Sequence, residues 1–313
     1  METKNSWVPV TNFQFPNGWQ NQAAERARSC CQQLEDGDIL FFDGIPFDFP
    51  ETDRQFLLSQ RQSDSGLHKN ISYRPKQDLL RGSAAGKKDF TRLQDIMRRY
   101  SKAVVNFLSQ ALSPYAGKWS LDFASFRPEE EKGRDLPLHK RNDLLHLDSF
   151  PTRPTHGARI LRCFTNINPT DPRIWLTTDR LPVLAQNFAR RAGLELFASR
   201  RRSRFSPLIT GLKKAVGMKA VEHSAYDKFM LRFHDYLKEN SEFQKNCPKI
   251  RLEFPPVSTW ICYTDSVPHA VLSGQYALEQ TFIVPISAMV TPEKSPLRIL
   301  EKMAGRPLAE ENN

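Results

Sequence analysis

The sequence has little cysteine, and what it has is scattered. Its 313 residues contain five cysteines; only Cys30 and Cys31 are close together, and no C-x-x-C pair occurs. An odd, scattered set of this kind favours reduced thiols over a disulfide framework or a zinc site. We expect Cys30 and Cys31 to pack within a helix at about residues 21–34 rather than to carry redox chemistry.

Long apolar segments are also lacking. No run of about 18 apolar residues occurs, so the sequence predicts no membrane-spanning helix. The first residues, Met1 to Ser6, contain no apolar stretch of the length of a signal peptide. We therefore expect the protein to reside in the cytosol.

Several catalytic signatures are absent as well. The sequence contains no G-x-S-x-G nucleophile turn, no phosphate-binding G-x-x-x-x-G-K-[ST] loop, no G-x-G-x-x-G and no zinc-binding H-E-x-x-H. It also contains no internal repeats, which excludes a solenoid. With these catalytic classes excluded, a metal site other than H-E-x-x-H has few competing interpretations.

The most informative feature that is present is His146-Leu147-Asp148. Residues i and i+2 of a strand point to the same face, so the imidazole and the carboxylate could bind one ion. One more histidine from a distant strand would complete a 2-His-1-carboxylate set, which leaves coordination positions open and is typical of non-heme Fe(II) oxygenases. The alternative is a solvated His/Asp pair, because the bare pattern also arises by chance.

Segments rich in β-forming residues surround this motif. The predicted strands are 119–127, 159–167, 258–264 and 276–284. His269 lies between the last two, and we expect it to be the third ligand. His223, directly before a predicted helix cap at Ser224, is its rival, but the ligands of a barrel are expected on strands rather than at helix starts.

The order of the predicted elements indicates an α+β fold. Residues 89–112 carry apolar side chains at helical spacing, and the first 115 residues are predicted to be mainly helical. A sheet whose strands are split by a helical insert, with helices in front, favours a jelly-roll core, that is, a double-stranded β-helix. The expected divisions are a mainly helical region 1–118 packed on the core, a core 119–290 with an insert at about 179–240, and a tail 291–313.

Positive charge is concentrated in the insert. Between residues 189 and 219, nine Lys or Arg residues stand against Glu195 alone, so this segment carries most of the formal net charge of +10. Ser206-Pro207 predicts the start of a helix with one apolar stripe. We expect this segment to lie on an anionic membrane surface. Its basic patch consists of Arg200, Arg201, Arg202 and Arg204.

Two other interpretations of the basic segment remain. It could be a solvated basic face whose stripe packs on the core, since charge runs commonly serve solubility. Nucleic acid also attracts such a patch. The segment has few interleaved aromatic residues, namely Phe188, Phe197 and Phe205, so base stacking is disfavoured and we expect no nucleic-acid partner.

Four segments together resemble the Kdo 3-hydroxylase family. They are His146 to Gly157, Arg159 to Pro169, Pro172 to Trp175, and His269 with Leu278 to Phe282. Members of that family are bacterial Fe(II)- and 2-oxoglutarate-dependent dioxygenases. They hydroxylate 3-deoxy-D-manno-oct-2-ulosonic acid (Kdo) on lipopolysaccharide precursors to give the 3-hydroxylated sugar Ko. The similarity extends over nearly the whole chain.

The resemblance implies cofactors and partners. The cofactors would be Fe(II), 2-oxoglutarate as cosubstrate and O2, with ascorbate as a stimulant. The reaction would yield succinate and carbon dioxide and place a hydroxyl on carbon 3 of Kdo. The partners would be Kdo-lipid A and the anionic inner face of the inner membrane, on which the protein would be peripheral. An anionic amphiphile as substrate agrees with the basic insert.

The resemblance also implies how the cosubstrate is held. A buried carboxylate needs a cation, and many dioxygenases place one about ten residues after the distal histidine. Here residues 278–282 are Leu, Glu, Gln, Thr and Phe, and the first cation after His269 is Lys294. The family pattern instead assigns the cosubstrate to Arg127, Arg162, Arg173 and Trp175. The alternative is that Arg127 and Arg162 are surface residues of their strands.

The resemblance implies a further active-site histidine, which we match to His223. His234, in the following helix, is interpreted as structural, and no metal role is expected for His68, His139 or His156. Two alternative functions remain: a 2-oxoglutarate hydroxylase of another metabolite or of a protein side chain, and a non-catalytic basic membrane-binding or nucleic-acid-binding module. Succinate release with Fe(II) would separate the enzymes from the module.

Overall fold

The structure is a computed structural model that describes residues 7–10, 20–63, 70–199 and 222–310. Within these ranges the protein is a mixed α/β molecule dominated by one large β-sheet. The helices are α1 (Gln20–Glu35), α2 (Glu51–Leu58), α3 (Lys87–Ala111), α4 (Leu181–Leu184), α5 (Leu194–Ser199), α6 (Ala225–Glu239), α7 (Ser241–Asn246) and α8 (Pro296–Ala304).

The described strands follow one another from β1 to β11. They are β1 (Trp7–Pro9), β2 (Ile39–Phe42), β3 (Ile71–Arg74), β4 (Leu79–Arg81), β5 (Ser120–Arg127), β6 (Arg159–Asn166), β7 (Arg173–Thr177), β8 (Ile250–Phe254), β9 (Ser258–Tyr263), β10 (His269–Ser273) and β11 (Ala277–Val284). Eight of them form the large sheet in the order β1-β2-β9-β6-β11-β5-β3-β4, and three form a small sheet in the order β10-β7-β8.

Four strands and the longest described helix agree with the predicted elements. The four predicted strands correspond to β5, β6, β9 and β11, and the helix predicted at 89–112 is α3. Leu93, Met97, Tyr100, Val104 and Leu108 of α3 are buried, as expected for one apolar face of a helix. Apolar periodicity for the helix and runs of β-forming residues for the strands were therefore sufficient to locate these elements within about two residues.

The N-terminal region contains more β structure than the sequence indicates. Besides its helices it supplies β1 and β2 to one edge of the large sheet and β3 and β4 to the other. Each of these strands has only three or four residues. Strands so short have no readable alternation, and they are held by pairing with β9 and β5. This region is thus part of the sheet as well as packed on it.

Two apolar clusters position the sheets. One lies between the large sheet and helices α1 and α3 and includes the buried Cys30 and Cys31, which are free thiols; burial raises the pKa of both. The other is aromatic and joins the two sheets. In it Trp175 of β7 contacts Trp260 of β9 edge to face, with ring centroids 5.5 Å apart. The small sheet therefore faces β6 and β9 of the large one.

The predicted insert is helical where it is described. It contains α4, α5 and α6, and residues 185–189 between the first two form a turn of π-helix. Residues 200–221, including the whole basic patch, lie outside the described residues. No helix in the described ranges is long and apolar enough to cross a membrane.

Helix α6 is fixed at its start by the capping pattern expected from the sequence. The Ser224 side chain accepts a hydrogen bond from the Asp227 N–H, and the Asp227 carboxylate accepts one from the Ser224 N–H. The same carboxylate also accepts hydrogen bonds from the N–H groups of Thr155 and His156, at 2.9 and 3.0 Å. Asp227 thereby ties the start of α6 to the loop that follows Asp148.

Candidate metal centre

The two histidines of the predicted triad are direct partners across a pair of antiparallel segments. The His146 N–H donates to the His269 carbonyl at 3.1 Å, and the His269 N–H donates to the His146 carbonyl at 3.0 Å. Directly opposed residues place their side chains on one face. Asp148, two residues after His146, shares that face, and its N–H donates to the Thr264 carbonyl at 2.8 Å. Backbone pairing therefore brings the three side chains together.

The side chains converge as a metal site requires. One potential ligand atom from each of His146, Asp148 and His269 lies within 4.8 Å of the other two. The Nε2 atoms of His146 and His269 are each 3.9 Å from an Asp148 carboxylate oxygen. The structure also places the His146 and His269 rings 4.6 Å apart between centroids.

Hydrogen bonds select the ring nitrogen that is available. The Nδ1 atom of His146 is 2.7 Å from the Leu144 carbonyl, and that of His269 is 3.0 Å from the Val267 carbonyl. A carbonyl oxygen only accepts, so each Nδ1 carries the proton and donates it. The Nε2 lone pairs are then free to bind a cation, which is how metal-binding histidines are usually oriented.

The protonation states also suit a cation. Burial lowers the pKa of His146 well below its usual value, and the neighbouring His269 lowers it further. Burial lowers the pKa of His269 too. For Asp148, burial acts to raise the pKa, but the Arg162 guanidinium and the two imidazoles lower it by more. Two neutral imidazoles and one carboxylate are the 2-His-1-carboxylate donor set of non-heme Fe(II) sites.

A group of buried arginines and glutamates adjoins the triad. Arg127 lies at the end of β5, Arg162 on β6 and Arg173 at the start of β7. Glu279 of β11 pairs with Arg127 at 2.7 Å and with Arg162 at 3.1 Å. Arg162 is also 3.2 Å from Asp148. The residue ten positions after His269 is thus an anion that holds two cations from the flanking strands.

A second glutamate holds the third arginine. Glu131 lies 3.5 Å from Arg173 and 3.7 Å from Arg127. Burial acts to raise the pKa of Glu131 and Glu279, but the arginines lower it by more, so both are ionised. Burial lowers the pKa of Arg173 to about 10, which leaves it cationic at neutral pH. Because each glutamate is shared, these pairs do not use all the donors of the arginines.

The unused donors point to an anionic ligand. In the described part of the chain, the Nε atoms of Arg127, Arg162 and Arg173 and the indole Nε1 of Trp175 are buried and have no hydrogen-bond acceptor. The Trp175 ring also stacks on His269, with centroids 5.0 Å apart and planes 23° apart. Buried donors normally have partners. A dicarboxylate that reaches from the triad to the arginines would supply acceptors, so the residues present fit both an iron ion and 2-oxoglutarate.

The triad and the arginines open into one cavity of about 470 Å³. A small-molecule site usually has a volume of 300–1,000 Å³. Four more of its lining residues come from α6, namely Leu231, His234, Asp235 and Lys238. The cavity therefore has a sheet side, which carries the arginines, and a helix side.

Sequence reasoning missed the helix side. His234 was interpreted as structural, yet its ring lies 5.0 Å from the His146 ring, and its Nδ1 is 2.7 Å from the Leu147 carbonyl. Lys238, one turn later, is buried on the same wall. The spacing of four residues between them was the only available signal, and it is equally typical of any amphipathic helix.

His223 lies in a different place from the one its predicted role suggests. It is not among the described residues that line the cavity. Its side chain is half-buried, and its Nε2 is 3.0 Å from the carbonyl of Pro151, which does line the cavity. His223 therefore contacts the loop at Pro151 rather than the cavity itself, and its role in turnover stays a prediction.

A family profile and solved structures identify the same family. The family profile for 3-deoxy-D-manno-oct-2-ulosonic acid (Kdo) hydroxylase matches residues 18–307. A crystal structure of the Kdo hydroxylase KdoO with alpha-ketoglutarate and Fe(III) is 33% identical, with a TM-score of 0.78, covering 93% of this chain and 94% of that one. A cobalt(II) complex of KdoO is 31% identical, with a TM-score of 0.81 and 99% of both chains covered.

A third KdoO structure contains succinate and Fe(III). It is 31% identical to this chain, with a TM-score of 0.80 and 99% of both chains covered. KdoO is described as a non-heme Fe(II) alphaketoglutarate-dependent dioxygenase. A comparison with curated proteins gives no match. With a profile match over most of its length and relatives above 30% identity across nearly the whole chain, this chain belongs to the Kdo hydroxylase family.

Proposed function

We propose that this protein is an Fe(II)- and 2-oxoglutarate-dependent dioxygenase that hydroxylates carbon 3 of Kdo to Ko on Kdo-lipid A in lipopolysaccharide biosynthesis. One observation carries the proposal. In a member of the Kdo hydroxylase family, two imidazoles and a carboxylate converge in a cavity that also contains buried arginine donors without acceptors. We further propose that the two facing sheets are those of a double-stranded β-helix, because the triad lies on paired segments at one end of them.

His146, Asp148 and His269 would hold the metal through the two Nε2 atoms and a carboxylate oxygen. Bound Fe(II) supplies the activation of O2 that is coupled to the decarboxylation of 2-oxoglutarate to succinate. The protein keeps both imidazoles neutral by burial and fixes each ring through its Nδ1–H. The ligands are thus oriented before the metal binds, which lowers the entropy lost on binding.

Arg127, Arg162, Arg173 and Trp175 would hold 2-oxoglutarate. Three guanidinium groups, two from the large sheet and one from the small sheet, line the cavity that also contains Asp148 and His269. With both glutamates ionised, the three arginines are balanced by Glu131, Glu279 and Asp148. Adding a divalent cation together with a dianionic cosubstrate preserves that balance, whereas adding either alone does not. We therefore expect metal and cosubstrate to bind cooperatively.

Membrane association is the second part of the proposal. The substrate carries lipid A phosphates and acyl chains, and the basic segment 189–219 offers cations beside an apolar stripe. We propose that this segment holds the enzyme on the inner face of the inner membrane. Changing Arg200, Arg201, Arg202 and Arg204 to Gln should release the protein from anionic vesicles, and high salt should act in the same way. Unchanged vesicle binding at every salt concentration would leave the segment as a solvated face.

Mass spectrometry of Kdo-lipid A tests the reaction. After incubation with the protein, Fe(II) and 2-oxoglutarate, the product should gain one oxygen located on the Kdo unit, with succinate released in equal amount. Succinate without an oxidised Kdo unit would indicate another acceptor. No succinate under any condition would reject the enzyme.

Substitutions test the ligand set. Replacing His146, Asp148 or His269 by Ala should abolish turnover and weaken metal binding, measured by titration of Co(II). His223→Ala should reduce turnover and retain the metal. Retained metal in His269→Ala together with its loss in His223→Ala would exchange the assignments of these two histidines.

A further inference from the structure

Lys238 differs from the other strong cations of the cavity. The three arginines that line it each pair with a glutamate. Lys238 is only 4% exposed and lines the same cavity, but it forms no ion pair with any described residue. Its ammonium donates one hydrogen bond, to the His139 carbonyl at 3.0 Å. Lys238 is thus a buried cation that no carboxylate of the described residues pairs with directly, although Asp143, Asp148 and Asp235 are near enough to act on its charge.

This arrangement is unfavourable without a ligand. An ammonium has three N–H donors, and one protein acceptor leaves two of them unused. Removing a cation from water without a direct anionic partner costs free energy. Burial lowers the pKa of Lys238 to about 8, even though Asp148, Asp235 and Asp143 act to raise it. An anion placed beside Lys238 would supply the missing acceptors, so the site is suited to a carboxylate.

Lys238 also lies on the side of the triad away from the arginines. It extends from α6, whose His234 ring packs against His146. The arginines come from β5, β6 and β7, and Arg162 contacts Asp148 at 3.2 Å. Asp235 of α6 also lines the cavity, but its carboxylate is bound to the His139 ring at 3.0 Å and is 40% exposed. The helix side thus offers one cation for a second anion, distinct from the cosubstrate.

The chemistry of the proposed substrate requires such an anion to be close to the triad. In Kdo, the carboxylate carbon and carbon 3 are both bonded to carbon 2. Any pose that brings carbon 3 to the metal therefore brings the carboxylate into the same cavity. There it needs a cation that the cosubstrate does not already use.

We propose that Lys238 binds the carboxylate of the sugar acid and thereby sets the position of carbon 3. This rests on the proposed function, because it takes Kdo as the acceptor. It assigns a role in substrate selection to α6: neutral sugars would leave the buried ammonium unpaired and would be rejected.

Two variants and one modified substrate test this proposal. Lys238→Met keeps the length of the apolar stem and removes the charge; Lys228→Met, exposed on the same helix, is the matched control. At saturating 2-oxoglutarate, Lys238→Met should raise the KM for Kdo-lipid A about ten- to a hundredfold, the range expected for losing a charged hydrogen bond. The KM for 2-oxoglutarate and succinate formation without acceptor should stay within about twofold of wild type. Lys228→Met should change none of these.

The modified substrate is the methyl ester of the Kdo carboxylate, which removes the negative charge that Lys238 is proposed to bind. Esterification should raise the KM of the wild-type enzyme by a factor similar to that of Lys238→Met, and it should add little in the variant. Equal ester penalties in both proteins, or an unchanged KM in Lys238→Met, would overturn the proposal. A raised requirement for 2-oxoglutarate in Lys238→Met would instead place the cosubstrate at this residue and reject the assignment.

Binding without turnover separates this proposal from the proposed function. Kdo and its methyl ester are titrated calorimetrically into wild type, Lys238→Met and Lys238→Arg, each loaded with Co(II). Kdo should bind wild type more tightly than its ester, Lys238→Arg should keep part of that preference, and Lys238→Met should lose it. Kdo binding with this pattern but no hydroxylated product would reject the function and keep the carboxylate site. No preference for Kdo over its ester in wild type would reject the site, even if Lys238→Met failed to fold.

Discussion

Arg159 and Arg162 lie three residues apart on β6, and residues at that spacing point to opposite faces of a strand. Arg159 is fully buried and forms two hydrogen bonds with Asp265, at 2.9 and 3.1 Å, above the ring of Tyr263. Arg162 lines the cavity and pairs with Asp148 and Glu279.

The two arginines teach how a structural ion pair differs from a binding site made of the same residue types. Asp265 faces one guanidinium through both of its oxygens, whereas Glu279 is shared between Arg127 and Arg162. The first pair fixes the turn at 264–268 that leads into His269. The second leaves donors available next to an open cavity. The two ion pairs are similar in burial and charge. Only their surroundings make the first a structural pair and the second part of a binding site.

The largest effect is expected at the structural pair. Asp265→Ala leaves the buried Arg159 without its anion and should lower the free energy of unfolding by about 3–5 kcal/mol, measured by chemical denaturation. Saturating 2-oxoglutarate with Co(II) should not remove the difference from wild type. Asp143→Ala, which breaks an exposed pair with Arg141, should cost less than about 1 kcal/mol. A ligand that cancelled the Asp265→Ala loss would show that the two clusters are not distinct.

At the arginines that line the cavity, the effect should be on cosubstrate affinity. Arg162→Ala and Arg173→Ala each remove a cation proposed to face the cosubstrate. Each should therefore raise the 2-oxoglutarate requirement by at least about a hundredfold, since breaking a buried charged pair costs about 3 kcal/mol or more. Arg251→Ala, at an exposed pair with Glu253, is the control. A wild-type requirement in both variants would mean that the cosubstrate is anchored elsewhere, with Arg127 the next residue to test.

Glu279 sharpens the comparison because its loss should be rescued by ligand. Glu279→Gln removes the charge that holds Arg127 and Arg162 and should lower stability by about 1–3 kcal/mol. The dianionic cosubstrate replaces that charge, so thermal unfolding with 2-oxoglutarate and Co(II) should show a smaller loss than unfolding without them. Asp265→Asn is the matched control, because it removes the anion of Arg159 and its loss of stability should not be reduced by the ligands. Identical losses with and without ligand would assign Glu279 a purely structural role.

The smallest effect is expected at the histidines around the triad. His234→Ala removes the ring that packs on His146 and should weaken Co(II) binding about tenfold, as loss of a group that orients a metal ligand does. His223→Ala should leave that affinity unchanged and slow turnover, because His223 touches the loop at Pro151 rather than a ligand. Weaker Co(II) binding in His223→Ala, together with unchanged Co(II) binding in His234→Ala, would exchange the roles assigned to these two histidines.

Much of the site could be predicted from the sequence. His146 and Asp148 share a face because they are two residues apart on an extended segment, and strand-forming runs located β5, β6, β9 and β11. The arginines were assigned from a family resemblance, and the structure brings all of them to the cavity. These predictions were possible because each depends on local periodicity or on a local motif.

Only the tertiary structure decided the rest. No local pattern pairs residue 146 with residue 269 across more than a hundred residues; the antiparallel backbone pairing does so. The fold also leaves His223 outside the residues that line the cavity. In the sequence, Glu279 stands where many dioxygenases have the cation that binds the cosubstrate. In the fold, β11 lies between β5 and β6, so Glu279 pairs with one arginine from each of these strands. His234 and Lys238 have the spacing of any helix face, and the packing of α6 over the triad alone makes that face a wall of the site. Contacts distant in sequence carry no local signature, because they depend on how the elements pack together.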